Sequence, residues 1–320
     1  MVHETTTRAR GACHPTGVQY EIRHGNQSAV VAELGATLRA YECGGTRVLD
    51  GFAADEPARG GRGAVLVPWP NRIEDGRYPF EGTVHQLPID DVVDGHAIHG
   101  LVRWVPWRVI RRRHASVALG TTVFPRPGYP FTLAARVTYW LSDVGLSVST
   151  IVRNAGGQAA PVGIGHHPYL AVPGERIDGA MLHLVAAARY PTGARRLPDP
   201  YERLTGGPHD FRDPKPIGDT VLSATYGGLE RDAAGRAWVR LGRTRLWMEP
   251  AYEYVLLFSG EDLPNPLDHR RSLAVEPMTC PPNAFRTGVG LRALEPGGII
   301  RARWGIVHDS LSAAESAARR

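Results

Sequence analysis

An arginine, two imidazoles and two carboxylates, each within two residues of a proline or glycine, are spaced along a chain that is otherwise apolar and strand-like. They are Arg72 in Trp69-Pro70-Asn71-Arg72-Ile73, His99 in Ile98-His99-Gly100, His167 in His166-His167-Pro168-Tyr169, Asp219 in Gly218-Asp219-Thr220 and Glu276 in Ala274-Val275-Glu276-Pro277. With Asn71 beside Arg72, the set offers donors, acceptors and two kinds of group able to pass protons. Such a set can grip a polyol, take a proton from one oxygen and give a proton to its neighbour. Interconversion of sugar anomers needs little more.

The local sequence says how each side chain is held. Two prolines bracket Trp69 after the apolar run Ala64-Val65-Leu66-Val67, so a strand ends there and Asn71 and Arg72 fall on the loop that leaves it. The planar fork of Arg72 suits neighbouring ring oxygens. His99 follows an acidic stretch, Asp90-Asp91 to Asp94-Gly95, which lacks the spacing of a calcium loop and reads as a turn. His166 and His167 end the apolar strand Val162-Gly163-Ile164-Gly165. Neighbouring strand residues face opposite sides, so only one of the two enters a common site. An imidazole, with an ordinary pKa of about 6.5, suits a general acid near neutral pH. Glu276 ends the run Arg271-Ser272-Leu273-Ala274-Val275, and Pro277 closes the ladder behind it. Cys280-Pro281-Pro282-Asn283-Ala284-Phe285 then forms a rigid loop. Desolvation in such a place raises a carboxyl pKa and makes a useful base. Asp219 offers an acceptor for sugar hydroxyls. Trp69, Tyr169 and Phe285 are aromatic candidates for packing against a sugar ring. Each motif alone also has a plain structural explanation: an arginine bonding loop carbonyls, core histidines, a surface glutamate, a simple turn at Gly-Asp-Thr.

Composition removes several other classes. The 42% hydrophobic and 22% charged content is that of an ordinary globular chain. No run approaches the roughly 18 apolar residues of a membrane span, and residues 1–15 lack the apolar segment of a signal peptide, so a cytoplasmic protein without membrane partners is expected. Cys13, Cys43 and Cys280 are widely spaced with no CxxC pair, which indicates neither disulfides nor a zinc cluster. No HExxH or spaced Cys/His set supports a metal. The net charge of +5 comes almost wholly from arginines interleaved with acids, with Lys215 the only lysine. Even Arg111-Arg112-Arg113 is a short block that reads as a solvated strand edge, so nucleic acid is not an expected partner. The glycine-rich stretch Ala58 to Gly63 is no phosphate loop, because no Gly-Lys-Ser/Thr follows and a strand comes next.

The elements that must position these residues are strands. Val18, Tyr20 and Ile22 alternate with Gln19, Glu21 and Arg23; Leu133, Ala135, Val137, Tyr139 and Leu141 alternate with polar or outward neighbours; Leu146 and Val148 alternate with Ser147 and Ser149. Glycine, proline and asparagine turns separate them. Helical periodicity is confined to a short terminal helix over 309–318. Residues 188–220 read as a long ordered excursion within one all-β domain, a large antiparallel β-sandwich with its core over about 18–308.

The order and spacing of the motifs carry more than any one of them. The Asn-Arg-Ile after Trp-Pro, the His-Gly some 25 residues on, the His-x-Tyr, the Asp210-Phe211-Arg212 before an aspartate, the late glutamate and the closing Leu294-Glu295-Pro296-Gly297 together resemble the aldose 1-epimerase (galactose mutarotase) family over about residues 18–308. The resemblance implies a β-sandwich with an open cleft and a cofactor-independent isomerase acting on a small sugar, as monomer or homodimer. It implies His167 as the acid that protonates the ring oxygen, Glu276 as the base at the C1 hydroxyl, His99 assisting at the ring oxygen, and Asn71, Arg72 and Asp219 holding the sugar. The chain departs from the family pattern in Leu170-Ala171 after Tyr169, Pro277-Met278-Thr279 after the glutamate, and Thr220 after Asp219. Sugar preference therefore stays open. A hexose-6-phosphate epimerase, a noncatalytic sugar binder and a glycosidase using Glu276 with Asp219 are the alternatives; a glycosidase needs two carboxyls flanking one bond.

Overall fold

The computed structural model describes residues 14–174 and 176–309. The helix expected over 309–318 lies outside the described residues apart from Asp309. Period-2 patterning produces the strands it predicts. Leu133–Ser142 and Gly145–Asn154 form a hairpin in register from Leu133 opposite Asn154 to Ser142 opposite Gly145. Leu133, Ala135, Val137, Tyr139 and Leu141 are buried, while the residues between them are more exposed. Gly145 holds a φ of +112°, and a Cβ there would stand 2.2 Å from the Ile306 carbonyl oxygen, so the tight turn requires glycine.

Two large antiparallel sheets dominate. The nine-stranded sheet runs, edge to edge, Arg108–Arg113, Ser116–Val123, Leu133–Ser142, Gly145–Asn154, Ile299–His308, Thr244–Met248, Ala237–Leu241, Met181–Leu184 and Lys215–Pro216. The eight-stranded sheet runs Glu202–Arg203, Ala186–Pro191, Ser223–Leu229, Tyr254–Phe258, Ser272–Met278, Gly165–His166 and Val65–Leu66, with Tyr169–Ala171 also paired to Ser272–Met278. A four-stranded sheet from Gln19 to Arg47 extends the structure.

One face of the eight-stranded sheet packs on the nine-stranded sheet. Ala224, Tyr226, Val255, Leu257, Leu273 and Val275 join Val137, Val148 and Trp304 in a continuous apolar core. His166 belongs to this side: its Nε2 lies 2.7 Å from the Thr150 hydroxyl and its ring 5.3 Å from that of Trp304. The other face of the same strands carries Ser223, Thr225, Leu256, Phe258 and Glu276, and this face floors a cavity. Thr225 pairs with Leu256 and Leu256 with Glu276, so the three form one cross-strand row. The period of two thus divides each strand between core and cavity, and it explains why every residue from Ser272 to Met278 is buried.

One local expectation needs correcting. Pro277 does not close the ladder after Glu276; the strand continues to Met278, with Pro277 opposite Val255. The N–H groups of Val275 and Thr279 donate to the carbonyls of Pro168 and Ile164 on the neighbouring segment. Pro277, midway, omits a single rung, which a strand anchored on both sides tolerates. The rigid loop expected after Cys280 includes a short helix, Ala284–Thr287.

Trp304 is 1% exposed at the centre of the inter-sheet core. Trp304→Ala is expected to lower unfolding free energy by about 3–5 kcal/mol, through lost transfer energy and the cavity it leaves, measured by urea denaturation.

Candidate active site

A cavity of about 500 Å³ opens over the sheet face that bears Glu276, and it is lined by Asn71, Arg72, His99, His167, Tyr169 and Glu276. Five of the six residues singled out in the sequence therefore meet in one place. Asp219 does not. It is exposed on the loop after Lys215–Pro216 and is not among the cavity-lining residues. Its neighbour Gly218 accepts a hydrogen bond from Arg270 instead. The strand that does reach the cavity begins four residues later and presents Ser223 and Thr225. The aromatic candidates also divide. Tyr169 lines the cavity, whereas Trp69 and Phe285 pack against each other in the interior at 5.5 Å.

His167 sits between two strand segments, where its amide donates to Ala64 O and its carbonyl accepts from Gly63 N. Its ring stacks on Tyr169, with centroids 5.0 Å apart and planes 11° apart. The backbone of Gly61 presses on the ring, so that a Cβ there would stand 2.7 Å from His167 Cδ2. His167 Nε2 lies 3.2 Å from Glu276 Oε1. Both side chains are nearly inaccessible, and Glu276 Oε2 has no hydrogen-bond partner. Burial pushes the Glu276 carboxyl well above its usual range. Burial, reinforced by the charge of Arg62, pushes the His167 imidazole down to about 3. Desolvation thus disfavours the charged form of each partner, the imidazolium of His167 and the carboxylate of Glu276.

His99 is fixed by Asn71. The His99 amide donates to Asn71 O at 2.9 Å, and the Asn71 amide donates to His99 Nδ1 at 3.2 Å. Both residues adopt positive φ, +54° for Asn71 and +62° for His99, which lets the two loops clip together. Nδ1 is thus an acceptor, so the neutral ring carries its hydrogen on Nε2. Burial, then the neighbouring His167, Arg103 and Arg72, hold the His99 imidazole well below its usual range. Its ring meets that of His167 edge-on at 5.3 Å.

The cavity wall is built from ion pairs that local sequence did not reveal. Arg72 Nε donates to Asp91 at 2.7 Å, Arg103 to Asp90 at 3.0 Å, and Arg196 bridges Asp94 at 3.2 Å and Asp262 at 3.1 Å. The acidic stretch Asp90–Asp94 is thus the anchor of three arginines. Among the described residues, no group of three His, Cys, Asp or Glu side chains is placed to hold a metal ion. Cys43 and Cys280 are buried and free. No described helix is long and apolar enough to cross a membrane.

A buried carboxyl and imidazole thus meet beneath a polar cleft on an antiparallel β-sandwich. The aldose 1-epimerase family model matches residues 18–306, and the chain belongs to that family. It is 33% identical over 297 residues to the uncharacterized protein YihR of Escherichia coli (strain K12), covering 89% of this chain and 91% of that protein. It is 26% identical over 236 residues to galactose mutarotase of Rattus norvegicus, covering 69% and 61%. The crystal structure of a putative aldose 1-epimerase from Escherichia coli K12 superposes with a TM-score of 0.78 at 20% identity, over 92% of this chain and 99% of the other, which establishes the likeness of fold.

The raised carboxyl has a consequence for stability. In the unfolded chain Glu276 ionises near pH 4.5, but in the folded protein burial raises the pH at which it ionises. Its contribution to stability is therefore complete below about pH 4.5 and is lost as pH rises toward the folded pKa. Glu276→Gln, a neutral isostere, is expected to be more stable than the parent at pH 8, with the gap closing below about pH 4.5. Thermal unfolding across that range measures it.

Proposed function

We propose that this protein is an aldose 1-epimerase that interconverts the α and β anomers of a hexose without a cofactor. The observation that carries the proposal is the buried His167–Glu276 contact at 3.2 Å on the cavity floor. The reaction needs one proton removed from the C1 hydroxyl and one delivered to the ring oxygen. Glu276 as carboxylate takes the C1 hydroxyl proton, the C1–O5 bond breaks, and O5 takes a proton from His167. The open-chain aldehyde then turns about C1–C2. On reclosure O5 attacks the other face, its proton returns to His167, and Glu276 returns its proton to O1.

The pair holds one proton throughout the cycle. With the cyclic sugar bound, the productive arrangement is carboxylate and imidazolium; with the aldehyde bound, it is carboxylic acid and imidazole. Burial favours the neutral arrangement, and the attraction between the two charges at 3.2 Å offsets part of the cost of reaching the charged one. Acid–base help of this kind contributes about 10²–10⁴-fold, and orientation in the cavity contributes further. His99, held neutral with its Nε2 hydrogen available, donates to a sugar oxygen, and Arg72 and Asn71 hold hydroxyls. Ser223 and Thr225 supply hydroxyl partners on the side where an acidic acceptor was expected.

A second reading is favoured by one feature. Arg59, Arg72, Arg103 and Arg196 all line the cavity, which suits a hexose carrying an anionic group, with hexose 6-phosphate its simplest form. Their carboxylate partners neutralise much of that charge and leave the neutral sugar as the first reading.

Polarimetry of freshly dissolved α-D-glucose and α-D-galactose tests the proposal, with glucose 6-phosphate as the third substrate. Faster mutarotation of a free hexose, reduced at least about 100-fold in Glu276→Gln and in His167→Ala, is expected. Acceleration of the phosphate alone would favour the second reading, and acceleration of none would overturn both. Asp219→Ala is expected to keep the parent rate within about twofold, because exposed side chains away from a site contribute little.

A further inference from the structure

Among the buried charges the mechanism above leaves unused, Arg62 stands nearest its acid–base pair. Arg62 is 1% exposed, and its guanidinium carbon lies 4.6 Å from the centre of the Tyr169 ring. Its Nη2 reaches Asp50 and Asp268 at 3.4 Å each, but its Nε and Nη1 have no hydrogen-bond partner among the described residues. Arginine is seldom buried so completely without saturated hydrogen bonds. The same Tyr169 ring carries His167 in parallel stack at 5.0 Å. The Tyr169 hydroxyl is tied to Gly60 O at 2.8 Å, which locks the ring between the two. The loop 60–63 that supplies Arg62 also supplies the Gly61 backbone against the His167 ring and the Gly63 amide that binds the His167 carbonyl.

The surroundings hold Arg62 in place. Arg271 bonds Asp50 and Asp268 at 2.9 Å each, and the Ser272 hydroxyl donates to Asp50 at 2.9 Å. Two carboxylates thus serve two arginines, with Arg59 at 3.6 Å from Asp268 as a third cation and Arg47 at the edge of Asp50. Arg62 shares its carboxylates with these other arginines, so its charge against the Tyr169 ring is only partly neutralised there, and the Asp262 carboxylate also acts on that ring. The charged or titratable groups facing His167 are then Arg62 below, Arg103 at the wall, His99 at its edge and Glu276 in contact.

We infer that Arg62, through the Tyr169 ring on which His167 also stacks, is a positioning residue that biases the shared proton toward Glu276 and sets the acid strength of His167 in the epimerase. The inference rests on the acid–base roles proposed above. A cation nearby disfavours imidazolium, so His167 is protonated only transiently and gives its proton up readily to an oxygen, which is a weak base. The direction follows from charge alone. Loss of the Arg62 cation raises the proton affinity of both members of the pair, so both limbs of a pH–rate profile move to higher pH. Loss of a nearby carboxylate does the reverse.

The test uses the full-length protein as Arg62→Met, Arg62→Lys and Asp268→Asn, with circular dichroism to confirm folding. Two readouts are taken: the pH profile of kcat/KM for mutarotation, and the ring nitrogen chemical shifts of His167 followed by NMR across a pH titration without sugar. Arg62→Met is expected to shift both limbs upward by roughly one pH unit and to move the pH at which the His167 ring shifts change upward by a similar amount. Arg62→Lys is expected to restore the parent profile, and Asp268→Asn to shift the limbs downward. If Arg62→Met does not fold, Asp268→Asn, an isosteric change, carries the test by itself. A folded Arg62→Met with reduced kcat but unmoved limbs and unmoved ring shifts would overturn the inference, as would unmoved limbs and ring shifts in Asp268→Asn. The NMR readout needs no turnover. Parent protein that fails to accelerate mutarotation while Arg62→Met still moves the His167 ring would sink the epimerase role and leave the electrostatic link standing.

Discussion

Desolvation of one acid–base pair is the constraint on which the rest of this structure depends. A carboxyl and an imidazole at 3.2 Å, with almost no access to water, would be an expensive ornament in a core. They are tolerable because the pair needs only one proton between them, and because the sheet beneath is broad enough to absorb the cost. The eight-stranded sheet meets that demand with one face in the apolar core and one on the cavity. Glu276 is held in mid-strand rather than at a mobile loop tip, and its row neighbours Thr225 and Leu256 are fixed by the same ladder. The Glu276 carboxyl therefore has little freedom to move away from its place.

The histidine side is built differently. His167 and His99 lie on irregular segments, and each is fixed by contacts specific to its place. His99 is clipped to Asn71 by two hydrogen bonds between residues 28 apart, and His167 is clamped between the Gly61 backbone and the Tyr169 ring. Irregular backbone suits this task because it can aim adjacent groups at one point, which a regular strand with alternating side chains cannot do. Positive φ at Asn71 and His99 is the conformational cost of that aim. The arginine–carboxylate wall from Arg72 to Arg196 then ties three loops together around the opening.

Much of this was legible in the residues. Alternation over Leu133–Leu141 gave the strand and its buried face correctly, because side-chain direction in a strand is set by covalent geometry. The same rule separated His166 from His167, and the structure places the first against Thr150 and Trp304 and the second on the cavity. Asn71, Arg72, His99, His167 and Glu276 converge there as well. Asp219 was misplaced because a glycine-flanked aspartate has the same local pattern in a surface turn as in a site. Trp69 and Phe285 were misplaced because an aromatic side chain on a segment outside a regular strand carries no signal of which side it faces. Arg62 was passed over inside a glycine-rich stretch, since its partners Asp268 and Tyr169 are far along the chain.

The sequence by itself determined the strand faces, the membership of the acid–base set and the family pattern in which that set is ordered. These are local or ordinal properties, fixed by covalent periodicity and by which residue types can carry protons. The tertiary structure alone decided which of those residues share a cavity, how far each is buried and which hidden charge sits near them. Distance and dielectric are properties of packing. The Asp50–Ser272 bond spans 222 positions, and the water missing around Glu276 is excluded by residues drawn from several sheets and loops. No window of sequence contains that information.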